Sequence, residues 1–301
     1  MKFQISSFKF RICPAGGASG RHGFIRNSTA FSLVELLVVM ALLSLIMLAL
    51  MTVFNSTQRA FRASVTQADV LQGGRATMEL ITSDLRQLRP SYTTTNFIVT
   101  NNASYSTMLL QSLPGGTYSR SNLLQEVFIL NKQNTKWWGV AYAVAISQSG
   151  SLYSLYRLQY PAAGTNDPTT IFSSAAVRNF FLNPTNGGSH VIDGVVHFAV
   201  RAYDVNGLWI TNGYTAGQTN KLVKTKFYKL AGGECGFVMV SNVVPAAVEL
   251  QLGVMEDRVL QRAEALANFA AQTNYFAQQS GAVHLFRQRV SILNVDPTAY
   301  Q

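Results

Sequence analysis

The chain has 301 residues, with 24 Lys+Arg against 14 Asp+Glu and a formal net charge of +10. Hydrophobic residues make up 48% and charged residues 13%, which excludes intrinsic disorder, and two Cys exclude a disulfide framework or a zinc finger. That length suits one or two domains with ample chain for a core. The basic excess is uneven: Lys2, Lys9, Arg11, Arg21 and Arg26 lie in the first 30 residues, where there is no acid. A nucleic-acid-binding domain clusters its charge on a folded face instead, so no nucleic acid is expected as a partner.

After this basic tail comes FSLVELLVVMALLSLIMLALMTVF, Phe31 to Phe54, with Glu35 as its one charge. A bilayer core needs roughly 20 apolar residues of helix, so the run is long enough to span. The bases on its N-terminal side put that side in the cytoplasm and the rest of the chain across the membrane. A signal peptide has a shorter apolar core, followed by a small-x-small site. Here Ser28-Thr29-Ala30 precedes the run, and Val53-Phe54-Asn55-Ser56 offers no site. An ionised carboxylate inside a spanning helix costs about 2.5–3.5 kcal/mol, so Glu35 is either functional or close enough to the interface to stay wet.

Basic leader, small residue, Phe, four further residues ending in Glu, then a long apolar helix: this order resembles the type IV prepilin and type II secretion pseudopilin signal. The resemblance implies that prepilin peptidase cuts between Ala30 and Phe31 on the cytoplasmic side and that the Phe31 amine is methylated. The family usually has Gly before the cut, where this chain has Ala30. Gly23-Phe24 is a second Gly-Phe pair, but Ser28 would then be the fifth residue and the apolar run would start too late. The resemblance also makes Glu35 an assembly residue. A free amine at Phe31 is positively charged at neutral pH, and a neighbour's Glu35 set against it relieves two desolvated charges and fixes axial register.

The spanning helix has no stop signal at Phe54. Phe61, Val65 and Ala68 recur at helical spacing, and Met78, Ile81, Leu85 and Leu88 do so more clearly. Gly73-Gly74 reads as a bend or weak point between the two sets, and Pro90 as the end. A continuous helix over 31–89 would be on the order of 90 Å long, with its last part packed on the following domain. The reading divides the chain into a removed leader (1–30), a transmembrane helix (31–54), a periplasmic helix extension (55–90) and a β-rich head (91–301).

From residue 91, Ser, Thr, Asn, Gly and Tyr rise. Strands are predicted at Phe97–Thr100, Thr107–Gln111, Gln125–Asn131, Trp137–Ser147, Ser151–Tyr160, Val191–Asp204, Val244–Val254 and Val283–Leu293. Loops fall at Leu113–Gly116, Gly164–Pro168, Asn183–Ser189 and Ala231–Gly233. Val259, Leu260, Ala263, Leu266, Ala267 and Ala270 make Glu256–Gln279 an amphipathic helix. The fold class is α+β, with a long N-terminal helix packed on an antiparallel β-sheet head, as in pilins.

Three segments resemble the J-type minor pseudopilins. In GVVHFAVRAYDVNGLW (194–209), Asp-x-x-Gly-x-Trp would close a hairpin. VPAAVELQLGV (244–254) resembles the Pro-x-Ala-Val strand, and HLFRQRVSILN (284–294) the terminal Arg-containing strand. The helix near 256–280 departs from the simplest pattern of that group.

The residues offer little for catalysis. His190, His197 and His284 form no spaced metal pair, and His197 sits in an alternating strand. After cleavage Cys235 would be the remaining Cys, as a small buried hydrophobe in preference to a nucleophile paired with His197 or His284. Phosphate-loop, nucleophile-elbow and zinc-helix motifs are absent from the sequence. Glu256-Asp257 suits a helix N-terminus better than a calcium site. Trp137, Trp138, Tyr142, Tyr153, Tyr156 and Tyr160 would stack bases or sugars, but without a basic stripe packing and subunit contact are favoured.

The resemblance therefore implies a structural subunit of a type II secretion pseudopilus, not an enzyme, without cofactor or metal. It would wait in the bacterial inner membrane. Its partners would be prepilin peptidase, other minor and major pseudopilins and the inner-membrane assembly platform. The alternatives are a minor pilin of a type IV pilus or DNA-uptake system, and a membrane-anchored periplasmic enzyme or binding protein.

Overall fold

The computed structural model describes residues 32–101, 109–113, 117–145, 153–163, 166–211, 223–226, 236–266 and 268–300. The chain divides between Gln58 and Arg59 into two compact units. Helix α1 (Leu33–Arg86) is unbroken from one unit into the other.

In the N-terminal unit the apolar run stays helical because unbranched and branched aliphatic residues follow one another without Pro or Gly. Its hydroxyls are satisfied locally: Ser44 Oγ donates to the Ala41 carbonyl at 2.8 Å and Thr52 Oγ1 to the Leu48 carbonyl at 2.9 Å. Such back-bonding lets Ser and Thr sit in an apolar helix without an unpaired polar group.

The second unit is an α+β head built on antiparallel sheets. Seven strands form the large sheet, in the order β7-β6-β5-β4-β1-β10-β9. They are β1 (Thr95–Asn101), β4 (Gln125–Gln133), β5 (Lys136–Ala145), β6 (Ser154–Pro161), β7 (Ser189–Ile192), β9 (Val223–Lys226) and β10 (Gly236–Val240). A three-stranded sheet pairs β11 (Ala247–Met255) between β12 (Val283–Ser291) and β8 (Val195–Tyr203). A small hairpin pairs β2 (Leu109–Ser112) with β3 (Ser119–Asn122).

The central strands β4 and β5 are buried on both faces, which explains their nearly continuous apolar runs. Val127, Ile129, Val140, Tyr142 and Val144 join the main core with Phe198, Val200, Leu250 and Leu252 of the small sheet and Met78, Ile81 and Leu85 of α1. Phe128, Leu130, Ala141 and Ala143 face a second core, closed by α2 (Thr169–Phe172) and α3 (Ala175–Leu182) through Ile171, Val177 and Phe180.

The predicted stripe Met78, Ile81, Leu85 and Leu88 is buried as expected. Phe61 and Val65 are exposed within the protein. Gly73-Gly74 does not break the helix. A Cβ at Gly74 would lie 2.2 Å from Phe286 Cε2, so the missing side chain admits an aromatic ring from β12 against the helix backbone. The helix ends at Arg86, before Pro90, because the chain turns early into sheet pairing. Gln87 and Leu88 donate to the Asp84 and Leu85 carbonyls, and Leu88 then bridges to Asn131 on β4.

Other predicted boundaries move for local reasons. The run Val191–Asp204 becomes two strands, β7 and β8, parted at Gly194 (φ 75°), where a Cβ would meet Leu260 Cδ1 at 2.8 Å. The helix Glu256–Gln279 is instead two, α4 (Asp257–Glu264) and α5 (Phe269–Gln278). Asn268 restarts the second by accepting a bond from the Ala271 amide at 2.8 Å. The final strand stops at Ser291, and the Val244–Val254 strand begins only after Pro245, at Ala247. Elements β3, β9, β10, α2 and α3 have no counterpart among the predicted elements. The loops at 114–116 and 231–233 and residues 146–152 lie outside the described residues, as does Cys235.

Candidate membrane anchor and assembly segment

Ser32 and Glu35 begin α1 with a reciprocal cap. Ser32 Oγ accepts from the Glu35 amide at 3.2 Å, and the Ser32 amide donates to Glu35 Oε2 at 3.1 Å. Ser-x-x-Glu ahead of an apolar run is a capping box, satisfying two helix-end donors that hydrocarbon could not. The Ser32-x-x-Glu35 pattern is visible in the sequence, where Glu35 stands out first as the one charge of an apolar run. The cap fixes Glu35 in the first turn, three residues after Ser32, and leaves Oε1 unengaged among the described residues. Ala30 and Phe31, the expected processing and methylation residues, lie outside the described residues.

Every residue from Leu33 to Phe54 is exposed, and the apolar window of α1 has no part buried within the protein. Among the described residues, α1 is the one helix long and apolar enough to cross a membrane. A contiguous apolar surface of that extent is unlike that of a soluble helix, and a bilayer or neighbouring helices would cover it.

The C-terminal part of α1 is held in the head by a buried polar contact. Asp84 accepts from Arg157 Nε at 2.8 Å and Nη2 at 2.9 Å, and Tyr142 Oη also donates to it. The hydrogen bond to Asp84 holds the Arg157 guanidinium above its usual range. Burial first, then the Asp84 charge, raises the Tyr142 phenol, which stays protonated and serves as a donor. This trio has no signature in the sequence, where Asp84 stands as a lone acid between the stripe residues Ile81 and Leu85.

On the outer face of the small sheet, Glu249 lies between Arg201 (3.4 Å) and Arg287 (2.9 Å). Burial pushes its carboxyl up, but hydrogen bonds from Arg287 and Gln251 and the two arginine charges outweigh this and hold it low. The Asp-x-x-Gly-x-Trp segment closes a hairpin, as the resemblance implies. Asp204 Oδ1 accepts from the Asn206 and Leu208 amides, Gly207 takes φ 79°, and Tyr203 bridges to Trp209.

The histidines are dispersed. His197 is buried, accepts from the Leu123 amide at 3.1 Å, and is lowered to about 4 by burial. His190 contacts Asp193 at 2.8 Å and His284 contacts Glu256 at 3.4 Å. No group of three potential metal ligands occurs among the described residues. Glu256 and Asp257 open α4 as expected. The aromatic group is split by strand alternation: Tyr142 and Tyr153 enter the main core, while Trp137, Tyr156 and Tyr160 pack on the second.

The family model described as the prokaryotic N-terminal methylation motif matches residues 25–51. Comparison with curated proteins and with solved structures gave no match. The match spans Ala30, Phe31, Ser32 and Glu35, and the head lies beyond it. The chain thus carries a prepilin-type methylation motif on a pilin-like α+β architecture. This supports a type IV pilin-like protein of the kind prepilin peptidase processes.

Proposed function

We propose that the protein is a structural minor pseudopilin of a type II secretion system, without catalytic activity. The methylation motif over residues 25–51 carries the reading, because it runs into the one helix among the described residues that is suited to span a membrane. In this account the leader is cut between Ala30 and Phe31, and Phe31 is methylated. The chain sits in the inner membrane with its head in the periplasm until α1 joins the helical core of a short filament. There Glu35 meets a neighbour's Phe31 amine. The closed hairpin at Asp204–Trp209 and the arginine-bearing edge strand β12 support the J-type assignment within this class.

Co-purification of the tagged full-length chain from native membranes tests the proposal. Recovery of other pseudopilins and the assembly platform is the expected result. Recovery of pilus-retraction or DNA-uptake components, or of no filament subunit, would overturn it.

A further inference from the structure

Where the exit from α1, the β4–β5 turn and the segment after β12 meet, the head has an open groove of about 810 Å³. We infer that this groove binds an acidic glycan, one sugar stacking on Tyr92 while its carboxylate is held by Arg89 and Lys132. The inference is independent of the filament reading above.

Three observations carry it. First, Tyr92 is 66% exposed yet held in the left-handed region at φ 64°. Its amide donates to the Ser241 carbonyl at 3.0 Å and its carbonyl accepts from Ser241 Oγ at 3.2 Å. An aromatic residue is costly in that conformation, and the backbone clamp that enforces it fixes where the chain projects the exposed ring. An exposed aromatic face offers a sugar ring a preformed apolar platform.

Second, the groove has an excess of positive charge. The Arg89 amide donates to the Leu130 carbonyl and the Lys132 amide to the Gln87 carbonyl, so both residues come from one paired segment. Neither pairs with a carboxylate among the described residues. Arg89 Nη1 donates to Asn294 Oδ1, and Lys132 Nζ lies 4.9 Å from the Trp137 ring centroid. The groove's acid, Asp296, is already engaged by Asn242 Nδ2, Thr298 Oγ1 and the Thr298 amide. These bonds, the Thr298 hydroxyl first, hold its carboxyl below the usual range.

Third, the remaining lining is mixed: Ser91, Asn134 and Asn294 stand beside Pro90, Trp137 and Val295. A sugar carries apolar C–H faces and hydroxyl edges together, which suits apolar groups set beside the exposed Asn134 amide.

The test is calorimetric titration of the full-length protein in detergent with trigalacturonate, neutral cellotriose and hexaglutamate. Trigalacturonate should saturate with a Kd on the order of 1 mM or below, cellotriose should bind at least about tenfold more weakly, and added salt should weaken the acidic ligand. Tyr92→Gly removes the ring while suiting the left-handed backbone, so it should fold normally and weaken trigalacturonate about tenfold or more. Lys132→Ala should do likewise. Absence of saturable trigalacturonate binding, equal binding of cellotriose, tighter binding of hexaglutamate, or indifference to both substitutions would each overturn the inference.

Discussion

Asp84, on the core-facing side of α1, and Arg157, on β6, form a two-point ion pair in which the Asp84 side chain is only 5% exposed. Tyr142 occupies the same carboxylate, so one buried acid serves two donors of the large sheet. Such a pair contributes less to stability than its intact geometry suggests, because both charges lose water, but breaking it strands a charge.

Asp84→Ala or Arg157→Ala should therefore destabilise the head by about 3–5 kcal/mol, while a paired replacement such as Asp84→Leu with Arg157→Met should cost less than either single change. Denaturant unfolding of the four proteins checks this. An additive double mutant would contradict it.

The adjacent glycines of α1 should respond differently. Gly74→Ala would place its Cβ 2.2 Å from the Phe286 ring, whereas at Gly73 the nearest atom is the tip of Ile192, at 3.1 Å. Gly74→Ala should cost about 1–3 kcal/mol through overpacking, partly recovered by Phe286→Leu. Gly73→Ala should be neutral or gain up to about 1 kcal/mol from helix propensity. Thermal melts of the three variants decide it.

The contrast between these glycines shows what could be read from the sequence. The apolar stripe Met78, Ile81 and Leu85 announced which face of α1 is buried, because a helix repeats its contacts every third or fourth residue. Gly73-Gly74 looked like a break, because the ring that fills the space comes from Phe286, over two hundred residues away. Likewise β4 and β5 were legible as apolar runs, but β10 and the two short helices were not, since their identity depends on which sheet they cover. At the N-terminus the signal was local and therefore legible: Phe31, Glu35 and the following apolar run sit together in sequence. The Ser32 cap was equally local and needed only the capping pattern. The Asp84–Arg157 contact needed the fold.

Two buried groups should set opposite pH trends. Burial raises Glu126 from 4.5 to about 7 and lowers His197 from 6.5 to about 4. Glu126 binds its proton more tightly when folded, so it penalises folding above about pH 7, and the penalty fades as pH falls toward 4.5. His197 resists protonation when folded, so stability is lost as pH falls from 6.5 toward 4. Each effect is at most about 3 kcal/mol. Glu126→Gln should raise the melting temperature at pH values above 7, with a gain that shrinks severalfold as the buffer approaches 4.5. A gain independent of pH would contradict the assignment.

Glu35→Leu separates insertion from assembly. Membrane insertion should be intact or improved, since a charge costing about 2.5–3.5 kcal/mol is removed. Loss of the Ser32–Glu35 bond should fray only the first turn, a cost of about 1 kcal/mol or less. Crosslinking between spanning helices, at equal membrane levels, should fall. Unchanged crosslinking would make Glu35 a capping residue alone.

The central claim is that this chain is matured as a prepilin-type precursor, and mass spectrometry of its N-terminus in native membranes tests that most directly. The account predicts a chain beginning at Phe31 with one methyl group on its amine. Ala30→Leu should accumulate as uncut precursor, since a bulky side chain replaces the small residue at the cut. A wild-type chain that begins at Met1, or one cut beyond the apolar run, would contradict the account.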